Sequence, residues 1–173
     1  MTRRGKKHTY LGVHLEFTEL GSVKVSMIEY LKELIVGIPV EIEGSIGTPV
    51  ATYLLEINEE NPIYLEEERA KILHTFVAKL LFVCKQSRPD TQVSVVFLTT
   101  RVRKLDEDDW KKLIRLVKYI KSTVEIKLTL SSNNTNIVKW WVDGSYTAHK
   151  GMKSHTGGLT TLGKGCIYGT SIR

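Results

Sequence analysis

The chain has 173 residues, 42% hydrophobic and 25% charged, which are proportions of a globular protein long enough to bury one core. No apolar stretch approaches the roughly 20 residues a membrane-spanning helix needs, and no apolar signal segment follows the basic start. Cys84 and Cys166 lie far apart outside any CxxC pair, and the five histidines have no ligand spacing, so neither a disulfide framework nor a structural zinc site is indicated. The 25 Lys and Arg against 19 Asp and Glu leave a net charge of +6, unevenly spread. Residues 1–8 carry +4, residues 9–68 carry 2 basic against 12 acidic groups, residues 69–104 carry 8 against 1, and the remainder 11 against 6. An acidic third followed by a basic region fits a polyanion partner or a solvated surface.

In chain order, apolar alternation from Tyr10 through Phe17, a break at Glu19 to Ser22, and Val23, Val25 and Met27 predict a β-hairpin. Ile28 to Val36 predicts a short amphipathic helix stopped by Gly37 and Pro39. Residues 37–64 read as a long connecting loop around a possible strand at Val50 to Leu55, an unusual length of loop for a compact domain. Leu73, Phe76, Val77, Leu80, Leu81 and Cys84 form a continuous stripe that predicts a helix from about Leu65 to Ser87, with Glu66 to Glu68 at its positive end. Pro89 suits the first turn of a second helix over 90–102, although that segment is rich in Val and Thr. Asp106 caps a third helix whose buried stripe is Trp110, Leu113, Ile114, Val117 and Ile120, with Lys111, Lys112, Arg115, Lys118 and Lys121 on other faces. Period-two patterning at Ile126 to Leu130, at Ile137 to Val142 after the turn Ser131 to Asn134, and over Gly157 to Gly169 predicts terminal strands.

The chemistry-bearing residues are few. Asp143, after the strand-forming run ending at Val142, has the placement of a first metal-binding aspartate, but from the residues alone Asp143-Gly144 reads in preference as a hairpin turn. Asp106 to Asp109 and Asp90 read as helix-start residues, and His74, with no partner to orient it as a base, reads as a helix-surface residue. Arg101, Arg103 and Lys104, with Lys111, Arg115 and Lys118, form a basic stripe able to neutralise phosphates, or a solvated helix face.

Several segments resemble one family in order. Asp106-Glu107-Asp108-Asp109-Trp110 through Tyr119-Ile120-Lys121-Ser122-Thr123 resembles the D-E-x-x-W-x-x-L-x-R-x-L-x-Y-L-K-x-T segment of copia-type retrotransposon polyproteins. Tyr10-Leu11-Gly12-Val13 resembles the family's F-L-G strand, and Ala78 to Phe82 with Ser87-Arg88-Pro89-Asp90 resembles its G-x-L-L-Y and T-R-P-D segment. Trp141-Val142-Asp143-Gly144 resembles the opening of its ribonuclease H domain, and Ser154 to Ile167 resembles the stretch that follows.

The resemblance implies an α+β fragment: a basic arm (1–8), a hairpin, short helix and loop ending the polymerase palm (9–63), three thumb- and connection-like helices (64–123) and the start of a ribonuclease H-like sheet (124–173). It implies a primer-grip turn at Leu11 and Gly12 and a minor-groove helix face at His74, Ala78 and Phe82. Asp143 would be a vestigial ribonuclease H metal ligand. The polymerase Y-V-D-D run is not in this sequence, nor is the S-S-T-E-A-E segment with its glutamate. The implied chain therefore catalyses nothing unaided and needs no cofactor of its own, Mg2+ serving the intact family. Its implied partners are an RNA–DNA hybrid, held weakly and salt-dependently, and the remaining polyprotein, in the cytoplasm or nucleus and away from membranes. The alternative is a host-retained scaffold that binds nucleic acid or protein without catalysis.

Overall fold

The computed structural model describes residues 5–133, 136–149 and 152–172. Arg3 and Arg4 of the basic arm and Asn134 of the polar turn lie outside the described residues. The fold is α+β, with two separate antiparallel sheets and a helical core. In order, the elements are β1 (Lys7–Tyr10), β2 (Val13–Phe17), β3 (Ser22–Ser26), α1 (Ile28–Val36), α2 (Glu67–Gln86), a 3-10 turn at Pro89–Thr91, α3 (Gln92–Arg101), α4 (Glu107–Ser122), β4 (Leu128–Ser132), β5 (Lys139–His149), β6 (Lys153–Thr161), β7 (Gly163–Lys164) and β8 (Tyr168–Ile172).

The single strand expected over Tyr10 to Phe17 is corrected to two. Leu11 (φ 49°) and Gly12 (φ 76°) form a two-residue turn, with Tyr10 facing Val13 across it. Positive φ at both central residues matches the twist of the flanking strands. The odd-numbered apolar series Leu11, Val13, Leu15, Phe17 runs through this turn unbroken, which is why alternation hid it. Lys7 and His8 belong to β1, and Lys6 pairs with Glu19 at 2.7 Å, so these arm residues are part of the hairpin.

The helices bury the stripes their spacing predicts. Leu73, Val77, Leu80 and Cys84 of α2 meet Val95, Phe97 and Leu98 of α3 and Leu113, Leu116, Val117 and Ile120 of α4 in one cluster, which Leu31 and Leu34 of α1 join. Asp106 caps α4 through a reciprocal pair: its carboxylate accepts from Asp109 N–H at 2.9 Å, and that of Asp109 accepts from Asp106 N–H at 3.2 Å. The Val- and Thr-rich 92–101 segment is helical because tertiary burial outweighs its weak preference for strand.

The expected strand at Val50 to Leu55 is absent. The segment turns instead, with Leu54 N–H donating to Ala51 O and Glu56 N–H to Tyr53 O. Its apolar residues serve the helical core, with Ile38, Ile42 and Leu54 buried there.

The first sheet has strand order β1-β2-β3-β4-β7, so Val25 of the N-terminal part faces Leu128 beyond the helices. Gly165 follows β7 at φ 88°, where a Cβ would sit 2.1 Å from Thr129 O. The second sheet has order β5-β6-β8. Its first strand corrects the turn reading of Asp143-Gly144: β5 continues through both, with Asp143 opposite Gly157 and Gly144 opposite Thr156. A strand pairing on both sides of the dipeptide outweighs its local turn preference.

Candidate nucleic-acid interface

The Leu11–Gly12 turn stands on α1. A side chain at Gly12 would begin 3.8 Å from Tyr30 Cδ2 and 3.9 Å from Met27 Cε. Tyr30 in turn meets Phe82 of α2 edge-on, ring centres 6.1 Å apart. Tyr30 therefore brings the expected primer-grip turn beside the expected minor-groove helix, which lie some seventy positions apart in the chain. Leu11 is 69% exposed, and His74, Ala78 and Phe82 share the outward face of α2, as their i, i+4, i+8 spacing predicts.

Sequence reasoning missed three members of this surface. Tyr30 was hidden in a short helix read only for its core stripe. Lys71 and Lys85, three residues before His74 and three after Phe82, extend the same face. Lys71 pairs with Glu67 at 2.6 Å, and Lys85 donates to Gly169 O at 2.8 Å, so both cations are held on the surface at the two ends of the stripe.

The second group of basic residues has a different fate. Arg101 is largely buried and spans Asp109 (Nε to Oδ2 3.1 Å) and Asp106 (Nη2 to Oδ2 3.2 Å), so it locks the end of α3 to the cap of α4. Burial pushes the Asp109 carboxyl up, against the charge of Arg101. Arg103 and Lys104 are exposed at this junction, and Lys111 pairs with Asp108 at 2.9 Å.

Farther along α4 the polar face is covered by the 37–64 loop. Lys121 donates to Ile42 O at 2.6 Å, Ser122 to Ile46 O at 3.0 Å, Arg115 to Thr48 Oγ1 at 3.2 Å and Lys112 to Glu56 O. The loop thus runs antiparallel to α4 and returns to its start, where Glu107 N–H donates to Ile63 O. A long segment without its own ladder leaves carbonyls in need of donors, and the basic face of α4 supplies them. Lys112 is buried, its ammonium 4.7 Å from the Phe97 ring centre, and burial holds its pKa below the usual lysine value despite Asp109 and Asp106 nearby. Lys118 is half-buried. Of this group, Arg101 and Arg115 are engaged in holding the fold, while Arg103 and Lys104 face solvent.

Asp143 lies in mid-strand and lines a cleft of about 610 Å³ between the second sheet and the start of α3, together with Asp90. Asp90 is already engaged: Arg88 Nη2 donates to it at 2.8 Å and Tyr119 Oη at 2.8 Å. Burial works against both charges of the Arg88–Asp90 pair, but their mutual hydrogen bonds and attraction outweigh it, raising the arginine pKa and lowering that of the aspartate. Among the described residues no three His, Cys, Asp or Glu side chains converge on a point that could hold a metal ion. The residues present do not fit the two-Mg2+ centre of the family that the sequence resembles. Cys84, in the same region, is pushed up to about 11 by burial, which keeps it a protonated core residue.

No family model matches the sequence, and no solved structure matches the fold. No helix among the described residues is long and apolar enough to cross a membrane.

Proposed function

We propose that the chain is the nucleic-acid-holding part of a copia-type reverse transcriptase joined to the beginning of its ribonuclease H domain, and that it binds an RNA–DNA hybrid without catalysing a reaction alone. The observation that carries this reading is the contact chain from the Gly12 turn through Tyr30 to Phe82. It sets a two-residue backbone turn beside a helix face with a small residue, Ala78, at its centre and lysines at its ends. A small residue there leaves room for a duplex backbone, and the lysines offset phosphate charge. The resemblance of the ordered motifs from Tyr10 to Ile167 is what suggests the family.

The test is fluorescence anisotropy of a labelled RNA–DNA hybrid. With about two phosphates neutralised by these lysines, affinity falls roughly 12-fold between about 50 and 200 mM salt. Ala78→Glu, at an exposed helical position, weakens binding about ten-fold by placing a carboxylate against the phosphates. Absence of binding at the lower salt overturns the proposal.

A further inference from the structure

Strand β5 is one edge of its sheet, β8 being the other: among the described residues β5 pairs with β6 alone. Alternate N–H and C=O groups of residues 139–145 therefore face away from the ladder. Trp140, Trp141, Val142 and Tyr146 on this strand are 65%, 57%, 71% and 80% exposed. Long apolar edges are ordinarily blunted by proline, a bulge or inward lysines. Here the irregularity in pairing falls beyond Ser145, and residues 139–145 run in regular register.

We propose that β5 pairs antiparallel with β5 of a second copy of this chain, about a two-fold axis through Trp141 and normal to the sheet. Two three-stranded sheets then become one of six strands. Around such an axis a residue meets only partners on its own face of the pleat, so the register moves in steps that place the axis on successive residues. An axis at Trp140 sets Lys139 against Trp141, and one at Val142 sets Trp141 against Asp143. The axis at Trp141 sets Lys139 against Asp143 of the other copy, twice by symmetry, with Trp140 against Val142 and the two Trp141 side chains facing each other. Lys139 and Asp143 are respectively basic and acidic groups of β5, and this register is the one that makes them complementary. Aromatic pairs across the join add to the pairing, and the new ladder satisfies the outward backbone groups. The surface is separate from the Gly12–Tyr30–Phe82 site, so the proposal does not depend on the nucleic-acid reading.

Sedimentation velocity of the full chain, from about 1 to 100 μM, reads the association. The wild type shifts to dimer with rising concentration. Lys139→Glu alone sets carboxylates against carboxylates, and Asp143→Lys alone sets ammonium against ammonium. Each raises the dimer dissociation constant roughly ten-fold. An equimolar mixture of the two variants restores dimer, because each copy then offers the charges the other lacks. Both positions are exposed, and circular dichroism confirms that the variants fold. A wild type that stays monomeric throughout, single variants that associate as tightly as the wild type, or a mixture no tighter than its components overturns the proposal.

Discussion

Replacing Arg88 by Met removes a side chain that ties the end of α2 to both the 3-10 turn and the end of α4. Arg88 is 1% exposed, donates to Asp90 through Nε and Nη2, donates to Thr123 O at 3.1 Å and Thr123 Oγ1 at 2.8 Å, and lies 5.4 Å from the Tyr119 ring centre. Met fills a similar apolar volume, so the loss is mainly polar. Removing one partner of a buried ion pair costs about 3–5 kcal/mol. The Asp90 side chain is 35% exposed and keeps its bond from Tyr119, so solvent screening reduces the expected cost to about 2–3 kcal/mol. For a chain of this length that lowers Tm by roughly 5–10 °C. Calorimetry reads the shift, and a pH series reads its origin. The Asp90 carboxyl is held below its ordinary value in the folded chain, so its contribution is present above the unfolded value and is lost as pH falls through the folded one. The wild type therefore loses stability below about pH 4 more steeply than Arg88→Met, which lacks the main cause of the depression and keeps only the smaller contribution of Tyr119 and the backbone. Arg88→Lys keeps the charge but not the planar fork, and recovers less than half of the loss. A Tm within about 2 °C of wild type, or identical acid slopes, refutes the reasoning.

Asp106→Ala removes the cap of α4 and a partner of Arg101, at about 1–2 kcal/mol by urea unfolding, whereas Asp106→Asn retains the cap and costs less than half as much; equal costs would locate the effect elsewhere. Gly165→Ala forces a Cβ onto Thr129 O at φ 88° and costs more than about 2 kcal/mol, with faster amide exchange at Ser131 as β4 and β7 separate. Lys112→Met frees the Glu56 carbonyl, so hydrogen exchange rises at Glu56 and Leu54 while the α2 core stays protected. Because the folded pKa of Lys112 is depressed, wild-type stability rises as pH climbs through that value toward the unfolded lysine value of about 10.4, and the methionine variant lacks this rise.

Helix positions, the Asp106 cap and the outward placement of His74, Ala78 and Phe82 were legible because they rest on local rules: a 3.6-residue period, a side chain that reaches the third N–H, and a face defined by i+4 steps. The Leu11–Gly12 turn was not legible, because backbone handedness at Leu11 leaves no trace in an apolar alternation that continues across it. Asp143-Gly144 misled for the complementary reason, since its local turn preference is overridden by pairing to Gly157 and Thr156.

The sequence by itself determined that α1, α2 and α4 are helical, which faces of α2 are apolar and polar, and where charge is concentrated, since each follows from the identities of near neighbours; the helicity of α3 rests on its burial. Tertiary structure decided what the charges do. Lys112, Arg115 and Lys121 of α4 read equally well as part of a phosphate-binding stripe or a solvated face until the 37–64 loop is seen lying along them, accepting their hydrogen bonds. It also decided that Tyr30 joins the hairpin turn to Phe82, and that the exposed tryptophans of β5 stand on an open sheet edge. Contacts between segments far apart in the chain depend on packing geometry, which residue type and spacing alone do not encode.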